Sequence, residues 1–316
     1  MKKALSVLIC IALIISFTAC GSSSGKTDDG DTYKIGVIIL TDHPALQAAC
    51  DGFLEGLDEL GVKYEADVQN AQGEQTVCAT IATKFVNDGV DLIFAIATPA
   101  AQACAQATDT IPILVTAVTD PLSAGLVNSN ETPGTNVSGT SDMNPIDEQV
   151  ALLMKLVPDA KTVGIMYCSS EDNSILQEKI AREAFEAQGL TVLDFTVAEA
   201  GEVQSVTQSA VGKVDAVYIP TDNIMASSMA AVSVILNEAG IPSVVGEANM
   251  VANGGTATYG IDYYNLGKQT AAMAQKVLVE GADISTMPIE YSPEEDLELT
   301  LNEEAMKDLG IELVLE

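Results

Sequence analysis

Apolar residues along the chain follow a repeating rhythm of short continuous runs and longer helical-period stretches. The run YKIGVIIL (33–40) predicts a strand covered on both faces. Residues 44–60 carry apolar side chains at helical spacing and stop at Gly61, which predicts a helix. The strand KYEADVQ (63–69), a helix over 74–88 closed by Gly89, and the strand DLIFAIA (91–97) follow. A short helix over 100–107 and the strand IPILVTAV (111–118) complete the block.

After GTNVSGTSDMN (134–144) the alternation restarts. It runs through a helix over 146–156, TVGIMYC (162–168), a helix over 173–188 and LTVLDFTV (190–197). A helix over 203–211, VDAVYIP (214–220), a helix over 224–238 and IPSVVG (241–246) come next. The tail is less regular, with a strand TATYGID (256–262), a helix over 266–279, an extended MPIEYS (287–292) and a short helix over 302–309. Two βαβα blocks of similar length predict an α/β protein of two doubly wound parallel-sheet lobes.

In such sheets ligands bind beyond the carboxyl ends of the strands, so the residues found there carry the chemistry. They are Thr41-Asp42-His43, Thr98-Pro99-Ala100 and Thr119-Asp120 in the first block. In the second they are CSSEDNS (168–174), Thr221-Asp222-Asn223 and Glu247-Ala248-Asn249. Thr, Ser, Asp and Asn are also ordinary helix N-caps, so each position has a capping and a ligand-binding reading.

Composition narrows the partners. The net charge is −31, and a surface of that sign repels nucleic acid. Arg182 is the single arginine, inside a predicted helix, and no lysine follows a strand's carboxyl end. The first residues add a location. Lys2 and Lys3, then an apolar core over 4–17 too short to span a bilayer comfortably, read as a secretory leader over 1–19. FTAC (17–20) resembles a bacterial lipobox, which makes Cys20 the candidate for lipidation, palmitate included; an uncleaved anchor helix is the other reading. Residues 20–32 form a small, polar, flexible tether that would hold the protein at the outer face of the cell membrane. Cys50, Cys78, Cys104 and Cys168 lack metal-site or redox spacing. They read as small buried hydrophobes, with a disulfide open in an extracytoplasmic setting.

Taken with the segments HPAL (43–46), IATPAAQA (96–103), TDPLSAGLV (119–127), SDMNP (141–145), SSEDNS (169–174), PTDN (220–223) and GIDYYNLG (260–267), the chain resembles the type I periplasmic binding proteins. These are the extracytoplasmic receptors of ABC importers. The nearer resemblance is to substrate-binding lipoproteins associated with tryptophan and other aromatic amino acids. It implies two lobes joined by three crossovers, near 138–144, 261–265 and 285–289. Lobe 1 would comprise 33–140 plus 263–285, and lobe 2 would comprise 141–262 plus 286–316. A small-molecule ligand would be clamped between them and passed to permease and ATPase subunits, with no cofactor and no metal.

A free amino acid presents an ammonium and a carboxylate. Asp120 from one lobe and Asp222 from the other are the candidates for the ammonium, with Asp42 and Glu247 behind them. Without an arginine, the carboxylate would meet a helix N-terminus. Thr98, before Pro99, suits one terminus, and Asn173 with Ser174 offers another. The resemblance favours His43 as a ligand contact over a helix cap. Ala100, Thr119, Ser141, Asn223 and Asp262 complete the candidate set, and Tyr167, Tyr259 and Tyr263 either line an aromatic pocket or pack. The same receptor class with a branched-chain amino acid, nucleoside or sugar is the alternative. For an enzyme there is no phosphate loop, nucleophile elbow or metal-spaced cluster. For a repressor core, a leader and tether stand where a basic headpiece would be.

Overall fold

In the computed structural model, which describes residues 32–293 and 296–312, the first block folds as the rhythm requires. β1 (Tyr33–Ile39), α1 (Pro44–Glu59), β2 (Tyr64–Asn70), α2 (Gln75–Asp88), β3 (Leu92–Ile96), α3 (Thr98–Ala107) and β4 (Ile113–Val118) alternate without interruption. The leader, Cys20 and the tether as far as residue 31 lie outside the described residues, as do 294–295 and 313–316.

The second block gives α4 (Ile146–Leu156), β6 (Thr162–Cys168), α5 (Asp172–Ala187), β7 (Thr191–Val197), α6 (Val203–Ala210) and β8 (Ala216–Ile219). α7 (Asn223–Glu238), β9 (Ser243–Val245), α8 (Ala248–Ala252) and β10 (Ala257–Gly260) follow. Between the blocks lies β5 (Val137–Ser141), and after them come α9 (Tyr263–Leu278), β11 (Glu290–Tyr291), β12 (Glu298–Leu301) and α10 (Glu303–Leu309). The strand orders are β11-β5-β4-β3-β1-β2 and β12-β10-β9-β8-β6-β7. All pairings are parallel except that of β12 with β10. Each sheet therefore repeats the doubly wound order 2-1-3-4-5, whose switch point falls between its first and third strands.

Two stretches differ from expectation. VSGTS was read as crossover, yet all of β5 is buried in the first sheet. Its hydroxyls are satisfied internally: Thr140 Oγ1 lies 2.8 Å from both Thr116 Oγ1 and Thr270 Oγ1. Ser138 Oγ donates to the Met287 carbonyl at 2.8 Å. That bond and the pairing of β11 with β5 hold residues 287–291 against the first sheet. The third crossover accordingly follows Tyr291 rather than lying at 285–289, and the assignment of 286–291 to the second lobe is corrected. The described body is one compact unit.

α9, which follows the second sheet in sequence, returns to pack along α1. Glycines allow the close approach. A Cβ at Gly52 would sit 2.0 Å from the Tyr264 carbonyl oxygen, and one at Gly267 would sit 2.1 Å from that of Ala49. Alanine in a helix interior normally adds about 1 kcal/mol. Here overpacking should win, so Gly52→Ala should cost about 2 kcal/mol. Urea unfolding reads this directly; a raised midpoint would mean the helices do not cross this tightly. Beneath α1, Phe53 stacks on Phe94 with centroids 3.8 Å apart. In the second half the buried Tyr218 donates to Gln149 Oε1 at 2.7 Å, and Gln149 Nε2 donates to the Tyr259 carbonyl at 2.8 Å. This ties α4 to its sheet.

Candidate functional site

The carboxyl ends of both sheets face one another across a small cavity of about 10 Å³. Its walls include His43 after β1, Ala117 at the end of β4, Asp142 in the first crossover and Asn173 on α5. Thr221, Asp222 and Asn223 after β8, Glu247 after β9 and Tyr263 at the start of α9 complete the polar wall. Leu46 and Ala226 add apolar surface.

Local backbone features aim these groups. β4 and β5 lose register between Val115 and Val118, and Ala117 in that irregularity has φ 54°. Bulges beside binding sites commonly redirect a strand end in this way. Ala97, ahead of α3, has φ 84° and ψ 151°, a region that L side chains enter at a cost of order 1–3 kcal/mol. The strain sets the first turn of α3, where Thr98 Oγ1 is buried without a partner.

Most cavity-wall polar atoms are held by the protein, but four are not. His43 Nδ1, Asp142 Oδ1, Asn173 Oδ1 and Glu247 Oε1 are buried and make no hydrogen bond. Native proteins rarely leave such groups unpaired, so a convergent set asks for a ligand. The other oxygen of each acid is engaged: Asp142 Oδ2 accepts from Tyr263 Oη at 2.7 Å, and Glu247 Oε2 accepts from the Asn249 amide at 2.6 Å. Each carboxylate is thus fixed in place with one free face.

The electrostatics are one-sided. Burial pushes Asp142 up to about 6 and Glu247 up to about 7, with Asp142 adding to the effect on Glu247. Glu171 and Asp222 are both raised by burial, and the charge of Asp222 raises Glu171 further. Asp222 accepts from the Cys168 amide at 2.5 Å and the Met225 amide at 2.8 Å. These bonds favour its ionised form, which leaves Glu171 as the acid that keeps its proton. Burial lowers His43 to about 4 against the opposing pull of Asn223 and Asp42. Among the described residues no lysine or arginine lines the cavity. Arg182 is engaged on the helix surface with Glu178, Glu186 and Asp194.

Of the residues expected from sequence, the structure brings His43, Asn173, Asp222 and Asn223 to the cavity wall. Thr119 and Ser174 are buried beside it. Thr119 Oγ1 accepts from Gln177 Nε2 at 3.1 Å, and Ser174 Oγ accepts from Asn173 Nδ2 at 3.2 Å. Thr98 and Ala100 are buried at the start of α3. Three are elsewhere. Asp120 accepts from the Ser123 amide and Asn130 Nδ2 and closes a turn, so it does not pair with Asp222 across the cavity. Asp262 is an exposed N-cap of α9. Ser141 donates to the Thr119 carbonyl at 2.7 Å and accepts from the Met143 amide, which locks the crossover. Asp142, its neighbour, is absent from the candidate set drawn from the sequence, as is Gln177; Glu171 and Thr221 stand among the strand-end residues but were not chosen as ligand contacts. A carboxylate inside a crossover between two α/β blocks was the available signal for Asp142.

Among the described residues, hydrogen bonds between the halves include Gln177 to Thr119 and Gln102 Nε2 to Asp172 Oδ2 at 2.7 Å. Among the described residues no metal-binding group of acids, histidines and cysteines occurs, and no helix is long and apolar enough to cross a membrane. Cys50, Cys78, Cys104 and Cys168 are buried free thiols.

Comparison with known proteins fits this geometry. A sequence model of the family described as ABC transporter substrate binding protein matches residues 34–315. A tyrosine-binding protein of Clostridioides difficile (strain R20291) is 40% identical over 98% of this chain and 93% of its own. A Streptococcus pneumoniae ABC domain solved in complex with L-Trp superposes with a TM-score of 0.87 at 37% identity, covering 90% of this chain and 96% of that one. The ligand-free, open structure of a Clostridium difficile substrate-binding protein with adhesive properties is more similar in sequence, at 44%, yet superposes less well. Its TM-score is 0.69 over 89% of this chain and 96% of that one. The two halves here are therefore arranged as in the complexed protein.

Proposed function

The chain belongs to the ABC transporter substrate-binding protein family, and we propose that its ligand is a free aromatic amino acid, captured outside the cytoplasm for an ABC importer. The observation that carries this reading is the convergence of partnerless buried acceptors from both halves, acid-rich and without a lysine or arginine among the described residues, on one cavity. Asp142 Oδ1, Glu247 Oε1 and Asn173 Oδ1 suit the donors of an ammonium group. The first turn of α3, with Thr98 Oγ1 free, suits the carboxylate. Leu46, Ala117, Ala226 and Tyr263 supply apolar and aromatic wall. The tyrosine-binding relative and the L-Trp complex support an aromatic side chain.

Calorimetry with a panel of amino acids, nucleosides and sugars tests the reading. Trp, Tyr or Phe should bind at micromolar Kd or better, about −8 kcal/mol. Heat from nucleosides or sugars alone would overturn it.

Two further parts belong to the same reading. The first lobe holds 33–141, α9 and β11; the second holds β6 to β10 with β12, and the halves close about the three crossovers as a hinge. Cys20 carries the lipid anchor, through which the tether keeps the receptor beside its permease. Palmitate labelling should mark the parent and spare Cys20→Ala; equal labelling would remove the anchor.

A further inference from the structure

We propose that Gln177 is a positioning residue of the binding cavity: it fixes the 221–223 stretch of the wall, takes Thr119 of the other half as a partner, and through that contact sets how long the closed receptor keeps its ligand. The inference rests on the reading of the cavity as the ligand site and adds to it a residue that acts through its neighbours.

Gln177 lies on α5 and is buried. Its side chain pairs with both backbone groups of Thr221: Oε1 accepts from the Thr221 amide at 3.2 Å, and Nε2 donates to the Thr221 carbonyl at 3.0 Å. Asn173 Nδ2 donates to the same carbonyl at 3.2 Å. From the first crossover, Asn144 Nδ2 donates to Thr221 Oγ1 at 3.0 Å. Thr221, Asp222 and Asn223 all line the cavity. One glutamine thus fixes the stretch that supplies three of its wall residues.

The same nitrogen reaches across to the other half, where Thr119 Oγ1 accepts at 3.1 Å. It also serves the Asn173 carbonyl at 3.2 Å, one turn earlier on α5, so its two hydrogens are shared among three acceptors. Thr119 follows β4 and is itself held, its carbonyl accepting from Ser141 Oγ at 2.7 Å. Thr119 is 2% exposed and Gln177 0%, so water does not compete for their bond. The contact of Gln102 with Asp172 also spans the halves but is exposed, and water can replace either partner. The bonds of Gln177 to Thr221 lie within one half and survive a hinge opening; the bond to Thr119 does not. Opening must break it, so it slows release rather than capture. A neutral buried hydrogen bond is worth about 3- to 10-fold in such a rate.

Stopped-flow binding of L-tyrosine or L-tryptophan, whichever binds the parent more tightly, tests the contact in Thr119→Val, which keeps the shape of threonine and removes the acceptor. The dissociation rate should rise about 3- to 10-fold while the association rate moves by less than about twofold. Thr119→Ser, which keeps a hydroxyl, should dissociate at the parent's rate. In a Gln177→Met background, Thr119→Val should change dissociation by less than about twofold, because the pair is already broken. Equal losses in both backgrounds, or a loss confined to association, would overturn the assignment. If Gln177→Met does not fold, Thr119→Val against Thr119→Ser decides, and equal dissociation rates count against it. If no aromatic amino acid binds, the amino-acid reading falls, and small-angle scattering of the ligand-free protein judges the contact alone. A larger radius of gyration in Thr119→Val than in the parent supports it, and an unchanged one overturns it.

Discussion

Glu247→Gln should weaken amino-acid binding by roughly two to three orders of magnitude while leaving the ligand-free protein at least as stable as its parent. The opposed signs come from one atom. Glu247 Oε1 is buried with no hydrogen-bond partner, so its charge is uncompensated until a cationic group arrives. Removing one member of a buried charge pair costs about 2–5 kcal/mol in the complex. In the free protein, glutamine keeps an oxygen for the Asn249 amide and removes the desolvated charge. Asp142→Asn should behave alike, because its amide oxygen can still accept from Tyr263 Oη. The two losses should not sum, since the acids influence each other. Unchanged affinity in both variants, with melting temperatures at or above the parent's, would remove the acids from the site.

Affinity should also fall as the medium is acidified from about pH 8 to pH 5, and binding near pH 6 should release protons. Asp142 and Glu247, raised to about 6 and about 7, are partly protonated there, and a bound ammonium favours their ionised forms. The ligand must displace those protons, and at higher pH there are none to displace. For the free protein the sign reverses. A carboxyl group with a raised folded value stabilises below its unfolded value near 4, and the contribution is lost as pH rises through 6 and 7. By the 1.36 kcal/mol per pH unit rule each acid is worth on the order of 3 kcal/mol. His43, lowered to about 4, works the other way: its contribution is present above about 6.5 and is lost as pH falls toward 4. Asp222, Glu171 and Tyr263 adjoin the same space and are all raised, so the free protein should be most stable in mildly acidic solution. Calorimetry in two buffers of different ionisation enthalpy measures the protons released. Identical heats at pH 6, or tighter binding at pH 5 than at pH 8, would contradict the scheme.

The fold was largely legible because its signals are local. Apolar runs bounded by glycines at 61, 89, 189 and 240 mark strands and helices by period alone. β5 was not legible, because VSGTS earns its burial from partners far along the chain, such as Thr270 and Met287. The site divides similarly. The strand ends that would face the ligand could be read, since the doubly wound topology fixes them. Which carboxylate is free could not. Asp120, Asp222 and Asp262 all follow strands, yet one closes a turn, one caps α7 with its oxygens engaged, and one caps α9 in solvent. Capping and ligand contact recruit the same side chains, and only three-dimensional accounting of donors and acceptors separates them.

The return of α9 to α1 and of β11 to β5 has a consequence for synthesis. The five parallel strands of the second sheet, β6 to β10, lie on one unbroken stretch of chain and can assemble as soon as it exists. The first sheet begins at Tyr33 yet lacks the cover of its α1 face until Leu278, and its outer strand until Tyr291. The half of the molecule made first is thus the half completed late. Until then Ala49, Gly52 and Gly56 present a bare seam, the surface a chaperone would have to shield.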